Sequence, residues 1–273
     1  MIAVYILIAV AVLIPLCWVL MIKPSGRRHP LSPEIKKYRY AHRGLHNKGL
    51  SVPENSMSAF RLALEKGYGI ELDLHLTDHG SLAVIHDTSL KRTAYTELDV
   101  TTLSDKEIKS YPLEATTELI PFFDEVLSLV SGKVPLLIEL KTDNDNYRQL
   151  ADKVMQTLKN YKGIYAIQSF DPRAILHLKK HYPEVMRGQL AGFLRKSGDP
   201  LNRFLDFGLR NLLTNFITKP HFVAYRVQDS RRPSMALCRK LYRPLEFNWT
   251  CRKKAHGKIA AKNGAIQIFE EKK

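Results

Sequence analysis

Cysteine is nearly missing from this chain: Cys17, Cys238 and Cys251 are the only three among 273 residues. That is no disulfide framework and no metal-ligand spacing, and it suits a reducing compartment. Low-complexity stretches and short internal repeats are also missing. With 45% hydrophobic residues the chain can bury the core of one large domain, such as an α/β barrel. Acidic residues are scarce, 27 against 42 Lys and Arg, for a net charge of +15. A balance so basic suits an anionic membrane surface, phosphorylated substrates or nucleic acid. The basic clusters Arg231-Arg232, Arg239-Lys240 and Arg252-Lys253-Lys254 have no interleaved aromatic platform, so no nucleic-acid partner is expected.

Charge is absent from residues 1–22; the first basic group is Lys23. As a helix this run spans about 33 Å, against a hydrocarbon core of about 30 Å. Pro15 is tolerable in a membrane helix. A cleaved signal peptide is the alternative, but the run lacks a basic start and an A-x-A-like site. The expectation is an uncleaved single-pass anchor in the cell membrane (1–22), then a linker (23–37) and the main domain (38–273). Lys23, Arg27, Arg28, Lys36 and Lys37 follow the span and place the domain on the cytoplasmic side. The bilayer is thus one expected partner.

What the chain does have is a set of titratable groups in short, strand-like segments. His42 lies in AHRG, Glu71 and Asp73 in IELDL, His86 in VIHD, and Glu139 in LIELK. Two histidines suffice for a general acid and a general base. Three clustered carboxylates repel one another unless a cation sits among them. Side chains alternate along a strand, so Glu71 and Asp73 share a face about 7 Å apart, with Ile70, Leu72 and Leu74 opposite. Glu139 and Lys141 likewise share one face of an otherwise apolar strand. With Arg43 added, the set suits a phosphate ester.

The hydrophobic pattern alternates strands and helices. Strands are expected at 38–42, 69–75, 82–86, 135–140, 164–168, 185–190, 221–225 and 245–250, with the turn Asp78-His79-Gly80 joining the second and third. Helices are expected at 54–66, 103–110, 121–131, 147–160, 171–181, 200–213, 230–242 and 251–263. Eight βα steps argue for a parallel sheet, with every chemical motif at the carboxyl end of a strand, where barrel enzymes carry their sites.

These motifs, AHRG (41–44), PENS (53–56), IELDLHLTDHG (70–80), VIHD (84–87), LIELK (137–141), QSFD (168–171) and WT (249–250), resemble those of the glycerophosphodiester phosphodiesterase family over residues 38–270. Their order and spacing are specific, although each alone is weak. The resemblance implies a (β/α)8 TIM barrel with a small insertion after the third strand, about 88–133, read as a lid or subdomain over the mouth. It implies hydrolysis of glycerophosphodiesters to an alcohol and glycerol 3-phosphate with one divalent cation. Glu71, Asp73 and Glu139 are then the metal ligands, and oxygen ligands select Mg²⁺ or Ca²⁺. His42 is assigned as base and His86 as acid, with the swap open. Arg43, Glu54, Lys141 and Trp249 are assigned to the substrate, Trp249 as a wall of the glycerol site or simply as core. Asp87 is expected to orient the His86 loop, and His75 to be structural or peripheral.

Two rival readings are a lysophospholipase D-like phosphodiesterase acting on membrane lysophospholipids and an inactive membrane-bound binding module. The sequence departs from the family pattern at Cys251-Arg252, where a small apolar residue and Asn are usual, at Gly264-Ala265-Ile266-Gln267, where an Asp-rich segment is usual, and at His79, where Gly is common.

Overall fold

The computed structural model describes residues 1–193 and 203–271. In chain order the elements are α1 (Ile2–Met21), α2 (Ser32–Ile35), β1 (Tyr40–Ala41), α3 (Met57–Glu65), β2 (Gly69–Leu76), β3 (Leu82–Val84), α4 (Lys91–Ala94), α5 (Asp105–Ile108), α6 (Phe123–Val130), β4 (Leu136–Leu140) and α7 (Tyr147–Leu158). They continue as β5 (Tyr165–Ser169), α8 (Pro172–His181), β6 (Arg187–Ala191), α9 (Arg203–Arg210), α10 (Asn215–Thr218), β7 (Phe222–Arg226), α11 (Pro233–Tyr242), β8 (Leu245–Cys251), α12 (Lys254–Asn263) and β9 (Ile266–Phe269). The helix expected at 200–213 begins among residues 194–202, outside the described set.

A parallel barrel closes in the order β1-β2-β4-β5-β6-β7-β8-β9, with β9 pairing back onto β1. The TIM barrel expected from the sequence is therefore present, but its strands differ from the expected list in one place. Segment 82–86 is not a barrel strand: β3 pairs antiparallel with β2 and runs back toward the barrel. The eighth barrel strand is β9, which the sequence reading left within the chain's tail. The tight Thr77–Ser81 turn explains the hairpin: Gly80 adopts a φ of 82° there, and the Thr77 N–H donates to Ser81 O.

Strand parity sorts the core. Ile70, Leu72 and Leu74 of β2, with Leu136, Ile138 and Leu140 of β4, pack outward against α3, α6 and α7 through Phe60, Val126 and Val154. Tyr40, Leu137, Phe222, Phe247 and Ile268 fill the barrel interior, and Ile35 of α2 joins them as a plug. Helix starts follow local chemistry: Ser56 Oγ accepts the Ala59 N–H, and Asp171 accepts the Arg173 N–H ahead of Pro172.

Within 88–133, residues up to Ile120 build a small satellite core from Leu90, Val100, Leu103, Ile108 and Leu113, which also takes in Ala83 and Ile85. α6 instead packs in the barrel's outer layer beside α3. Residues 23–37 are not extended away from the domain. Ile22 and Ile35 are fully buried, and Ser25 N–H donates to Pro220 O. The last turn of α1 is seated on α10 and α11. Trp18 Nε1 lies 3.3 Å from Ser234 Oγ, Tyr242 Oη donates to Val19 O at 2.7 Å, and Asn215 Nδ2 donates to Ile22 O at 3.0 Å.

Candidate active site

The inward positions above the barrel's apolar interior carry charge. On β2 these are Glu71, Asp73 and His75; on β4, Glu139 with Lys141 just beyond it. The register sets Asp73 opposite Glu139. Glu71, Asp73 and Glu139 are 1%, 0% and 5% exposed, and their ligand atoms lie within 4.8 Å of one another. The face-sharing read from the sequence thus yields one cluster.

Two loops fasten that cluster. After β1 the chain turns through Arg43 and Gly44, with φ of 55° and 76°. A side chain at Gly44 would place its Cβ 2.8 Å from Ala59 Cβ, so glycine is required by both backbone and space. The turn aims the Arg43 N–H at Glu71 Oε2, 2.9 Å away. Arg43 Nη1 donates to Glu54 Oε1 at 2.8 Å, and its Nε lies 3.4 Å from Asp73 Oδ2. Asn55, also left-handed at φ 54°, donates through Nδ2 to Asp73 Oδ2 at 2.9 Å. Lys141 Nζ stands 2.6 Å from Glu139 Oε1 and 3.2 Å from Asp73 Oδ1.

Burial, then repulsion from Asp73 and Glu139, drives the Glu71 pKa well up. Burial, reinforced by Asp73 and resisted by Lys141, pushes Glu139 up to about 7. Burial also works against the Asp73 carboxylate, but Lys141, His86 and Arg43 hold its pKa below the usual range. Three buried carboxylates therefore converge on one point, with Arg43 and Lys141 as the fixed positive charges beside them. A divalent cation fits: it would favour the charged form of all three, and all-oxygen ligands suit Mg²⁺ or Ca²⁺.

Both sequence-assigned histidines reach this site. His42 follows β1 directly. His86 arrives by the β2–β3 hairpin, where the Ile85 N–H donates to Asp73 O at 3.2 Å. A strand outside the barrel thus delivers a site residue to the mouth by running back along β2. Each imidazole is held through Nδ1: His42 by Glu270 Oε1 at 2.8 Å, His86 by Asp87 Oδ1 at 2.5 Å. Burial, with Arg43 adding, lowers the His42 pKa to about 4 against the opposing pull of Glu270. Burial and Lys141 lower His86, opposed by Asp73 and Asp87.

Arg92, on α4 after the hairpin, ties the pieces together. Its Nε donates to Asp87 Oδ2 at 2.5 Å and its Nη2 to Glu54 Oε1 at 2.6 Å. Burial raises the Glu54 pKa, but Arg43 and Arg92 outweigh it and bring that pKa down to about 2. His75 is buried at 2% exposure, between Asp143 Oδ2 at 2.6 Å and the His86 carbonyl at 3.1 Å. It supports the His86 loop from behind.

The mouth encloses about 1200 Å³. One side is the charged cluster; the other is walled by Phe170, Leu190, Leu205 and Trp249. Trp249 both lines the cavity and is anchored, its Nε1 donating to Ala224 O at 3.0 Å and its ring edge-on to Phe170. Every residue assigned from the sequence lies in or directly behind this cavity. Five side chains that hold it were not assigned: Asn55, Arg92, Asp143, Glu270 and Arg252. Period-2 alternation through Ile266, Ile268 and Glu270 was the available signal for Glu270; nothing local marks Arg92 or Arg252.

A profile of the family described as "Glycerophosphoryl diester phosphodiesterase family" matches residues 42–222. A protein of Caldanaerobacter subterraneus subsp. tengcongensis named "Glycerophosphodiester phosphodiesterase" is 35% identical over 166 residues, 57% of this chain and 67% of that protein. One of the same name from Bacillus altitudinis is 38% identical over 132 residues, 45% of this chain and 53% of that protein. The matches thus span about half to two thirds of these relatives. The fold is shared with an Oleispira antarctica phosphodiesterase solved with sn-glycerol-3-phosphate, at a TM-score of 0.68 and 19% identity, covering 85% of this chain and 92% of that one.

Proposed function

The chain belongs to the glycerophosphoryl diester phosphodiesterase family, and from that premise we propose that it hydrolyses glycerophosphodiesters to an alcohol and glycerol 3-phosphate. The observation that carries this reading is the joining, at one barrel mouth, of three buried carboxylates with two histidines, His42 buried and His86 half-buried, whose Nδ1 atoms are both tied to carboxylates. The product held by the Oleispira phosphodiesterase is in keeping with it.

Glu71, Asp73 and Glu139 would hold the divalent cation, which would supply Lewis acidity and activate a hydroxyl group. Arg43 places its guanidinium against the anionic phosphate, oriented by Glu54, and Lys141 adds a second positive charge. His42, neutral at pH 7 because burial brings its pKa to about 4, takes the proton of the attacking hydroxyl at Nε2. His86 gives a proton to the departing alkoxide from its own Nε2. Its lowered pKa is restored in the complex, because an anionic diester favours the imidazolium form. Each proton transfer contributes about 10²–10⁴-fold. A neighbouring glycerol hydroxyl attacks first, giving a cyclic phosphate that water opens.

The apolar wall of Phe170, Leu190, Leu205 and Trp249 favours a second substrate reading, a lysophospholipid whose chain leaves along that side. The setting is a membrane. One N-terminal helix, Ile2–Met21, is long and apolar enough to cross one. Its seated last turn supports an uncleaved anchor, and the basic residues after it support a cytoplasmic barrel.

The test is a release assay on the full chain in detergent, with glycerophosphocholine, glycerophosphoethanolamine and lysophosphatidylcholine, with Mg²⁺, Ca²⁺ or EDTA. Glycerol 3-phosphate from the soluble diesters, abolished by EDTA, is expected. No hydrolysis with either ion would refute the reading. Turnover of lysophosphatidylcholine alone would favour the second substrate.

A further inference from the structure

Arg252, where the sequence departs from the family pattern, meets Glu270 at the end of the last strand. β9 pairs with β1 so that Tyr40 faces Ile268. Two residues further on, on the same inward face, stand His42 and Glu270, and the His42 N–H donates to Phe269 O at 2.9 Å. Strand register alone therefore sets the Glu270 carboxylate beside the His42 ring. Arg252, just past β8, closes on Glu270 with both arms of its guanidinium, Nε to Oε2 at 2.6 Å and Nη2 to Oε1 at 2.8 Å. Such a bidentate pair fixes the carboxylate plane as well as its position.

We infer that Glu270 is the positioning residue of His42, held in place by Arg252, and that this Arg252–Glu270–His42 line fixes which ring nitrogen of His42 faces the substrate. A carboxylate at Nδ1 requires the proton on Nδ1, which leaves the lone pair on Nε2, aimed into the cavity. Glu270 touches no reacting atom and acts only through the histidine. The same three chain segments also admit a metal site, since ligand atoms of His42, His46 and Glu270 lie within 4.8 Å of one another. Arg252 argues against it: a guanidinium already supplies the positive charge to both Glu270 oxygens.

The inference rests on His42 acting at the proposed centre, so His42→Ala is the reference. If His42→Ala keeps wild-type turnover, the proposed function fails at that residue. If it is inactive, the Glu270 variants decide. In Glu270→Gln an amide NH₂ can face Nδ1 and select the opposite tautomer, so kcat should fall by about 100-fold or more. KM should stay within about threefold, since uniform binding is untouched, and the melting temperature should be unchanged. Glu270→Asp, which keeps the charge, should recover most of the activity. Arg252→Ala should lose about tenfold in kcat and regain it on addition of guanidinium. Wild-type kcat in both Glu270→Gln and Arg252→Ala would overturn the inference. So would rescue of Arg252→Ala by Zn²⁺ and not by guanidinium, which would mark a metal site instead.

Discussion

Replacing Glu139 by Gln in the metal-free protein should alter how stability depends on pH, and the sign follows from burial. Glu139 is 5% exposed and its folded pKa is about 7, against 4.5 as the ordinary value. A carboxyl group with a raised folded pKa costs stability as pH rises, because between 4.5 and 7 the folded state binds the extra proton. The shift is 7 − 4.5 = 2.5 units, worth about 3 kcal/mol at roughly 1.4 kcal/mol per unit. Much of it falls between pH 5 and pH 8, because at about pH 5 the unfolded carboxyl is only beginning to ionise fully. His42 and His86, with lowered pKa values, push stability the other way over part of this range, so wild type alone is a poor readout. The difference between wild type and Glu139→Gln removes them and reports the carboxylate cluster, including the part of the Glu71 shift that Glu139 causes. Urea unfolding in detergent, followed by tryptophan fluorescence, should show the variant gaining about 2–3 kcal/mol on wild type between pH 5 and pH 8. Saturating Mg²⁺ or Ca²⁺ should then stabilise wild type more than the variant at pH 8. Parallel pH profiles for the two proteins would refute both the burial argument and the three-carboxylate site.

Glu71→Gln, Asp73→Asn and Glu139→Gln should each lose most activity and weaken Mg²⁺ or Ca²⁺ binding by titration calorimetry, and wild-type affinity in all three would contradict the ligand assignment. His86→Ala should regain activity on a nitrophenyl ester of glycerol phosphate, whose leaving group needs no proton, while His42→Ala should not; recovery in His42→Ala alone would reverse the two roles. Arg92→Ala removes one of two anchors from each of Asp87 and Glu54, so kcat should fall by about tenfold or more and KM should rise as Arg43 loosens, with Arg92→Lys partly restoring both; unchanged kinetics would show the bridge to be idle. Protease added to intact spheroplasts should leave the barrel uncut until lysis, and digestion from outside would place it on the other face of the membrane.

Period-2 alternation in IELDL and LIELK determined by itself that Glu71, Asp73 and Glu139 would face one way and their apolar neighbours the other, because strand geometry admits no other arrangement. The alternation of strand and helix determined a parallel sheet, the family resemblance implied its closure into a barrel, and most expected elements agree with the observed ends to within three residues. The charge-free first 22 residues determined a helix able to cross a membrane. Tertiary structure decided the rest. Segment 82–86 is as apolar as a barrel strand, and only its pairing shows it to be a hairpin arm that delivers His86. β9 is four residues long, too short a pattern to stand out, yet its register with β1 puts Glu270 on His42. Arg92 lies 38 residues from Glu54, and Arg252 lies 18 from Glu270. No local pattern encodes such contacts, because a salt bridge between distant segments depends on where closure of the barrel brings each backbone.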